Sequence, residues 1–278
     1  MVNGYVPKTL KEALEIYAEN PVIPYAGGTD LMVENRADVT YLFLNKISEL
    51  KQIKVDDRYI RIGSGVTFTQ AMEDERVPEL MREAVSHIAA PAIRNAGTFG
   101  GNLGNGSAKA DSVLIDFVTD AKLRLASVRG ERIVDVDKFY LGRKNLDLAE
   151  DELIAEILLP KEGLDNYYYE KVGGRSAMAI SRISFAGVFE EKDGVIVNIA
   201  AAFGAVADIV LRYKDIEAMM IGKTPEQARA MKAEYMKAYE DRMVLTRGRV
   251  SAEYRKAVCM NLLDAFLTKY VGTGSLAQ

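Results

Sequence analysis

The residues with the clearest chemical potential lie in a glycine-rich stretch, Arg94 to Ser107. Its five glycines are interleaved with short polar side chains, including Thr98 and Asn102. Glycine costs backbone entropy, so such a cluster is expensive unless the chain turns sharply or approaches another group closely. An apolar run begins at Val113, and backbone N–H groups presented ahead of a helix suit a pyrophosphate. The stretch predicts a phosphate-binding loop, with a glycine-rich surface turn as the alternative.

A second stretch repeats this pattern near the N-terminus. Ala26 to Leu31 reads Ala-Gly-Gly-Thr-Asp-Leu, after a predicted strand over Val22–Tyr25 and before a predicted helix through Arg36. Backbone donors and a hydroxyl again precede a helix start. Two such loops make a single dinucleotide site more plausible than either loop does by itself.

Two other glycine motifs fail the tests for common nucleotide folds. Gly63-Ser-Gly65 lacks the third glycine of a Rossmann fingerprint, because position 68 is Phe68. Gly222-Lys-Thr224 lacks the first glycine of a P-loop, because position 217 is Glu217. Both classes are therefore rejected.

The scarcity of cysteine and histidine excludes several chemistries. Cys259 is the single cysteine, so the chain cannot form an internal disulfide or hold an iron–sulfur cluster by itself. His87 is the single histidine, which disfavours zinc sites and histidine-based triads. Any redox chemistry is therefore expected to come from a bound cofactor.

The composition indicates an ordinary globular protein. With 278 residues the chain is expected to form roughly two domains. A net charge of −4 without a basic cluster argues against nucleic-acid binding. No apolar run approaches the roughly 20 residues of a membrane span, and the N-terminus does not resemble a secretion signal. We expect the protein in the cytoplasm.

The elements that would position the two loops form an α+β pattern rather than a regular strand–helix alternation. A polar, turn-rich segment at Lys161–Asp165 predicts a domain boundary, with an antiparallel sheet and then helices after it. The predicted strands are 22–25, 40–44, 52–55, 59–62, 122–127, 132–135, 153–159, 167–172, 184–190 and 195–203. One predicted helix begins after Thr9, and another starts at 224–225. The other predicted helices cover 69–74, 79–90, 214–220 and 251–270.

The chain resembles the FAD-binding (medium) subunit of molybdenum hydroxylases, the xanthine dehydrogenase, carbon monoxide dehydrogenase and nicotinate dehydrogenase family. The resemblance rests on Ala26–Leu31, Thr98–Asn102, Asp111, Lys171 and Ala179–Ile183. The order and spacing of these residues fit over essentially the whole chain, and the paired glycine motifs are quite specific. Ala108 and Lys109 depart from the family's usual pattern.

The resemblance implies the FAD-binding fold of the vanillyl-alcohol oxidase and p-cresol methylhydroxylase type. It implies an FAD-binding domain over residues 1–165, with α+β subdomains of about 1–53 and 54–165. A smaller C-terminal domain, with an antiparallel sheet and helices, would cover 166–278.

The resemblance also implies which residues bind FAD. The first loop, Pro24–Leu31, and the second, Thr98–Asn102, would close on the pyrophosphate. Ile154 would give a backbone contact, and Lys171 would stabilise negative charge on the reduced isoalloxazine. The implied cofactor-binding residues are Pro24, Tyr25, Ala26, Gly27, Gly28, Thr29, Asp30, Leu31, Thr98, Phe99, Gly100, Gly101, Asn102, Ser107, Asp111, Ile154 and Lys171. No side chain is expected to act as nucleophile, general base or metal ligand.

The implied function is that of an FAD-carrying electron-transfer subunit. Electrons would come from [2Fe–2S] clusters on a small subunit, after chemistry at a molybdopterin centre on a large subunit, and would leave to NAD⁺ or another acceptor. One alternative is a stand-alone flavin-dependent reductase of the same fold, which would need its own proton donor. The other is a non-catalytic nucleotide-binding assembly subunit, which would purify as a colourless protein.

Overall fold

The computed structural model describes residues 3–34 and 38–272. The strands are β1 Asn3–Tyr5, β2 Ile23–Tyr25, β3 Thr40–Phe43, β4 Ile53–Val55, β5 Tyr59–Gly63, β6 Lys122–Ser127, β7 Gly130–Asp135, β8 Tyr140–Gly142, β9 Asn145–Leu146, β10 Leu153–Pro160, β11 Tyr167–Val172, β12 Ile183–Lys192, β13 Val195–Gly204 and β14 Leu211–Arg212. The α-helices are α1 Leu10–Glu19, α2 Phe68–Glu73, α3 Glu79–Ser86, α4 Pro91–Ala96, α5 Phe99–Gly104, α6 Asp111–Val118, α7 Val136–Phe139, α8 Lys214–Glu217, α9 Pro225–Arg242 and α10 Ala252–Val271. These elements confirm the predicted α+β class.

The chain divides into two compact units. The first contains the residues up to Ser107 together with Asp120–Lys161, and the second contains Ala108–Thr119 together with the residues from Glu162 onward. The sequence prediction placed one boundary at residue 165. It did not anticipate that the short segment 108–119 joins the second unit.

The first unit contains two sheets and a hairpin. In the smaller sheet, β1 and β2 pair in parallel with the central β3, so Pro24 lies on an edge strand as its missing N–H requires. The larger sheet is antiparallel in the order β4-β5-β10-β6-β7. Both of its predicted hairpins, β4–β5 and β6–β7, are present. The β8–β9 hairpin was not predicted.

The second unit is an antiparallel sheet, β11-β12-β13-β14, packed with helices. Helix α9 begins at a capping box, in which the Thr224 hydroxyl accepts from the Gln227 N–H and the Gln227 side chain accepts from the Thr224 N–H. The long helices α9 and α10 pack together, and α10 contributes Leu263 and Phe266 to the core against the sheet. Cys259 lies in this core, as its position on the predicted stripe indicated.

Helix α6 is buried on every side. All eight of its residues are buried, and it packs against β12 and β13. A helix whose whole surface is buried has no face for solvent, so it must be covered by other elements. This requirement explains why a segment from the middle of the first unit's sequence belongs to the second unit.

Asp116 on α6 makes stability depend on pH. It is fully buried, and neither carboxylate oxygen has a hydrogen-bond partner in the part of the chain that the structure describes. Burial raises the pKa of Asp116 well above its ordinary value of 3.8. The folded protein therefore binds a proton that the unfolded chain releases above about pH 4, and stability falls as pH rises from there.

We expect Asp116→Asn to be more stable than the wild type at pH 7, because asparagine cannot ionise. Its advantage should grow with pH above about 4 by up to about 1.4 kcal/mol per unit. Urea unfolding between pH 4.5 and 7 measures this difference, with the exposed turn variant Asp193→Asn as control. Parallel stability curves for Asp116→Asn and the wild type would contradict the assignment.

The glycine-rich stretch differs most from its prediction. It was expected to be a loop, but α4 extends to Ala96 and α5 covers Phe99–Gly104, so three of its glycines lie in a helix. The predicted helix over 79–90 ends at Ser86. After the first glycine loop, the described residues form a 3₁₀ turn over Leu31–Glu34, and Arg36 lies outside the described residues.

None of the helices that the structure describes combines the length and the apolar character needed to span a membrane. Within the same residues, no cluster of three or more histidine, cysteine, aspartate or glutamate side chains could hold a metal ion.

Candidate functional site

The two glycine motifs of the sequence line one cleft in the first unit. Its volume is about 460 Å³, within the usual range of ligand sites. The first loop, Ala26–Leu31, forms one part of the wall, and α5 forms another. The sequence hypothesis of a single site built from both motifs therefore has a physical location.

The first loop needs its glycines for close packing. A Cβ on Gly27 would lie 1.9 Å from the Ala96 carbonyl oxygen, which belongs to α4 just before α5. Gly28 has φ +69°, and a Cβ there would lie 2.1 Å from the Tyr25 hydroxyl. Gly27 thus allows the first loop to pack directly against the segment that leads into α5.

The first loop also presents unused backbone donors. Among the described residues, no hydrogen bond uses the N–H groups of Gly28, Thr29 or Asp30, although the Gly28 carbonyl accepts from the Met32 N–H. Buried or ligand-facing N–H groups require partners. Successive backbone donors of this kind suit the oxygens of a phosphate.

The first N–H groups of helix α5 have hydrogen-bond partners within the protein. Its N-cap Thr98 accepts from the Gly101 N–H at 3.1 Å, and the Gly100 N–H donates to the Ser64 carbonyl at 2.8 Å. The Phe99 N–H donates to the Val66 carbonyl at 3.2 Å. The first N–H groups of α5 are therefore satisfied within the protein. These bonds lend no support to the expectation that the same N–H groups serve as phosphate donors, which stays a prediction.

Two of the α5 residues that line the cleft, Gly101 and Gly104, carry no side chain and have little protein around them. A Cβ on Gly101 would meet the Thr98 Oγ1 atom at 3.1 Å and otherwise nothing closer than 3.9 Å. A Cβ on Gly104 would meet Ile154 Cδ1 at 3.9 Å. Both glycines are exposed and line the cleft, whereas Gly100 packs on Ser64 and has no room for a Cβ. Protein packing explains Gly100, whereas packing constrains Gly104 little and Gly101 only through Thr98, so a close approach of a ligand to these two glycines stays a prediction.

A side-chain hydrogen bond joins the two walls. Asn105 Nδ2 at the end of α5 donates to Asp30 Oδ2 in the first loop at 2.7 Å. Both residues line the cleft. The bond orients the Asp30 carboxylate, because one oxygen is held by the amide.

A second depression of about 550 Å³ in the same unit has a different character. Arg132 lies in its wall and donates to Glu152 and Asp147 in ion pairs at 2.8 and 2.7 Å. Hydrogen bonding to Arg132 lowers the pKa of Glu152. The charged groups of this depression are held in ion pairs with one another or with adjacent residues, and neither glycine motif reaches it. The glycine-lined cleft is therefore the better candidate site.

Most of the predicted ligand residues line the cleft. These are Pro24, Ala26, Gly27, Gly28, Thr29, Asp30, Leu31, Thr98, Gly100, Gly101, Asn102 and Ile154. Tyr25 and Phe99 do not line it, because the Tyr25 ring packs against Tyr41 and Phe43, and the fully buried Phe99 ring packs against Phe68. Ser107 also lies outside the lining. The role of each residue as an FAD ligand stays a prediction.

Several lining residues were not assigned from the sequence. The clearest are Ser64 and Gly65, from the motif that fails as a Rossmann fingerprint, together with Asn105 and Lys144. The sequence did carry a local signal at Gly63-Ser-Gly65, because small residues at the end of a strand allow another chain segment or a ligand to approach the backbone closely. No local pattern pointed to Lys144.

Asp111 and Lys171 form a buried cluster in the second unit. Lys171 Nζ donates to Asp111 Oδ2 at 2.7 Å, and the two side chains are 8% and 6% exposed. Ser181 donates from Oγ to Asp111 Oδ1, also at 2.7 Å. The sequence did not indicate what Asp111 contacts. The structure assigns Lys171 and Ser181 as its partners.

Comparison with known families decides the class. The family model described as the FAD binding domain in molybdopterin dehydrogenase matches residues 1–162, and the CO dehydrogenase flavoprotein C-terminal domain matches 167–270. The chain belongs to the FAD-binding subunits of molybdopterin dehydrogenases. Membership in this family confirms FAD as the cofactor and confirms the chain as a subunit of a flavin-dependent oxidoreductase.

Individual relatives agree with the family. The xanthine dehydrogenase FAD-binding subunit of Escherichia coli O157:H7 is 34% identical over 221 residues, covering 75% of this chain and 75% of that protein. The nicotinate dehydrogenase FAD-subunit of Eubacterium barkeri is 32% identical over 270 residues, covering 91% and 90%. These matches confirm the family resemblance that the sequence motifs indicated.

Solved structures confirm the fold of this FAD-binding subunit. Carbon monoxide dehydrogenase from Hydrogenophaga pseudoflava superposes with a TM-score of 0.86 at 24% identity, covering 98% of this chain and 96% of that one. Quinoline 2-oxidoreductase from Pseudomonas putida 86 gives a TM-score of 0.86 at 21% identity, covering 98% and 97%. The predicted flavin-binding fold with a C-terminal sheet domain is therefore confirmed.

Proposed function

We propose that this chain is the FAD-carrying electron-transfer subunit of a multi-subunit molybdenum hydroxylase. It would take electrons from [2Fe–2S] clusters on a small partner subunit and deliver them to NAD⁺ or another acceptor. A large partner subunit would hold the molybdopterin centre. The relatives named as xanthine and nicotinate dehydrogenase subunits support this proposal. The cytoplasm stays the predicted compartment.

The observation that carries the proposal is the pairing of the two cleft walls. The first loop offers unused N–H groups at Gly28, Thr29 and Asp30, and α5 faces the same cleft with Gly101 and Gly104. A pyrophosphate needs donors on one side and close backbone approach. Both requirements are met by residues that the protein's own packing leaves available.

Within that cleft, the chain's residues have separable roles. The first loop would hold the pyrophosphate by its N–H groups, and Asp30 would accept hydrogen bonds from cofactor hydroxyls with the carboxylate oxygen that Asn105 does not use. Ile154 would contact the cofactor from β10. When bound, FAD supplies the redox chemistry, so the chain need only bind, orient and shield it. The assignment of Lys171 to the isoalloxazine stays a prediction.

Isolation of the native complex tests the partner assignment. We expect the chain to co-purify with two other subunits, with a flavin absorbance spectrum and with iron and molybdenum in the preparation. A flavin-containing protein that purifies alone and reduces its own substrate would instead favour the stand-alone reductase. A colourless complex that does not bind added FAD would favour the non-catalytic alternative.

Loss of the bridge between the cleft walls should weaken FAD binding. We expect Asn105→Ala to raise the Kd for FAD by about three- to tenfold, because the Asp30 carboxylate loses its orienting donor. Fluorescence titration of the apoprotein measures the Kd. Asn95→Ala is a matched control, since Asn95 accepts from Thr69 Oγ1 at 2.6 Å and does not line the cleft. Equal Kd values for Asn105→Ala and Asn95→Ala would contradict the role of the bridge.

A further inference from the structure

The charge lining the cleft is unsuited to an anion except at one residue. Three carboxylates, Asp30, Glu34 and Glu152, line it, and of these Glu152 is paired with Arg132, whereas Lys144 is the single basic side chain among the described lining residues. A pyrophosphate carries negative charge at neutral pH, and like charges repel it most in a partly desolvated cleft. A site for such a group therefore depends on Lys144 for its countercharge.

The backbone of Lys144 has an unfavourable conformation. Lys144 lies in the two-residue turn between β8 and β9 and has φ +54°. A left-handed conformation costs a side chain such as lysine roughly 1–2 kcal/mol, and glycine or asparagine would adopt it more easily. Strain of this kind concentrates at functional sites. The turn conformation by itself gives no reason to prefer lysine at this position.

The turn is fixed beside the end of α5. The Lys144 N–H donates to the Gly106 carbonyl at 3.2 Å, and a Cβ on Gly106 would lie 2.9 Å from Lys144 Cα. Gly106 itself has φ +63°. These contacts hold the hairpin against the segment that carries Gly104 and Asn105 into the cleft.

The ammonium of Lys144 is not used by the protein. Across the described ranges 3–34 and 38–272, Lys144 forms no ion pair and its side chain makes no hydrogen bond. By contrast, Arg132 at the neighbouring depression has two carboxylate partners. The adjacent Arg143 is also exposed but does not line the cleft.

We propose that Lys144 is the cationic contact for the pyrophosphate of FAD. The inference rests on the proposed function, because it assumes that the glycine-lined cleft is the FAD site. Lys144 would supply the charge, while the N–H groups of the first loop supply the directional hydrogen bonds. The carboxylates that line the cleft would then disfavour anions that cannot contact both Lys144 and the N–H groups of the first loop.

Three variants and a salt series test the proposal on the purified apoprotein with FAD as probe. Lys144→Met removes the charge and keeps a long stem, Lys144→Arg keeps the charge, and Arg143→Met removes the neighbouring charge. We expect Lys144→Met to raise the Kd for FAD about tenfold at about 20 mM salt. A tenfold change corresponds to the lower end of the usual contribution of one hydrogen bond to a charged group. The difference should shrink at about 500 mM salt, where screening is strong. The other two variants should stay within about threefold of the wild type.

Each result decides the matter. An unchanged Kd for Lys144→Met at low salt would overturn the proposal, and so would a loss of equal size at both salt concentrations, because that loss would not be electrostatic. A loss of equal size in Arg143→Met would show a general charge effect and would also overturn it. Failure of the folded wild-type protein to bind FAD would instead contradict the proposed function.

Discussion

Gly101→Val should abolish FAD binding and leave the protein folded. An added Cβ would lie 3.1 Å from Thr98 Oγ1 and 3.9 Å from Ala26 Cβ, and because Gly101 lines the cleft we expect the rest of the valine side chain to occupy it. Valine is not worse than glycine in a helix, so stability should change by less than about 1 kcal/mol. We expect the Kd for FAD to rise more than about 100-fold, which corresponds to about 2.7 kcal/mol of lost binding. Titration of the apoprotein and thermal unfolding measure the two quantities.

The neighbouring glycine is the matched control for this prediction. Gly100→Val should destabilise the fold, because a Cβ at Gly100 would lie 2.5 Å from Ser64 Cβ and 2.9 Å from the Ser64 carbonyl oxygen. Overpacking of this kind costs about 1–3 kcal/mol or more. A Gly101→Val protein with full flavin occupancy would contradict the role of α5 as the ligand-facing wall.

Asp111→Ala should strongly destabilise the second unit. It would leave the Lys171 ammonium buried without its carboxylate partner and would remove the acceptor of the Ser181 hydroxyl. Breaking a buried pair by removing one partner costs about 3–5 kcal/mol. Urea unfolding of the apoprotein measures the loss without the stabilisation that bound FAD would add.

Two controls separate the buried pair from a general charge effect. Asp241→Ala removes a partner from the exposed Lys237–Asp241 pair on α9 and should cost less than about 1 kcal/mol. Asp111→Ala combined with Lys171→Met should recover part of the lost stability, because no unpaired charge then remains buried. Additive losses in the double variant would contradict the explanation.

Local sequence patterns predicted the strands and long helices well, because apolar runs, turn residues and helix caps within each segment determine them. Apolar runs on both sides of the Lys192–Gly194 turn predicted β12 and β13, and the start of α9 was predicted at Thr224–Pro225. Helix α5 was missed because glycine has a low helix propensity. Tertiary contacts override that propensity here, since α5 is capped by Thr98 and packs on Ser64.

The sequence predicted which motifs form the site but not which of their N–H groups bond within the protein. Pairing Ala26–Leu31 with Thr98–Asn102 indicated one site, and the structure brings both to one cleft. Both motifs were expected to donate N–H groups, but only long-range contacts decide which donors the protein itself consumes. The bonds from Gly100 to Ser64 and from Asn105 to Asp30 span residues distant in sequence, so no local pattern could reveal them.

The most direct test of the central claim is an FAD titration of the purified, folded chain. The cleft geometry predicts saturable binding of one FAD per chain, with a flavin absorbance spectrum, in the wild type and its loss in Gly101→Val. Folded wild-type protein that fails to bind FAD on reconstitution would contradict the claim that the cleft between the first loop and α5 is the cofactor site.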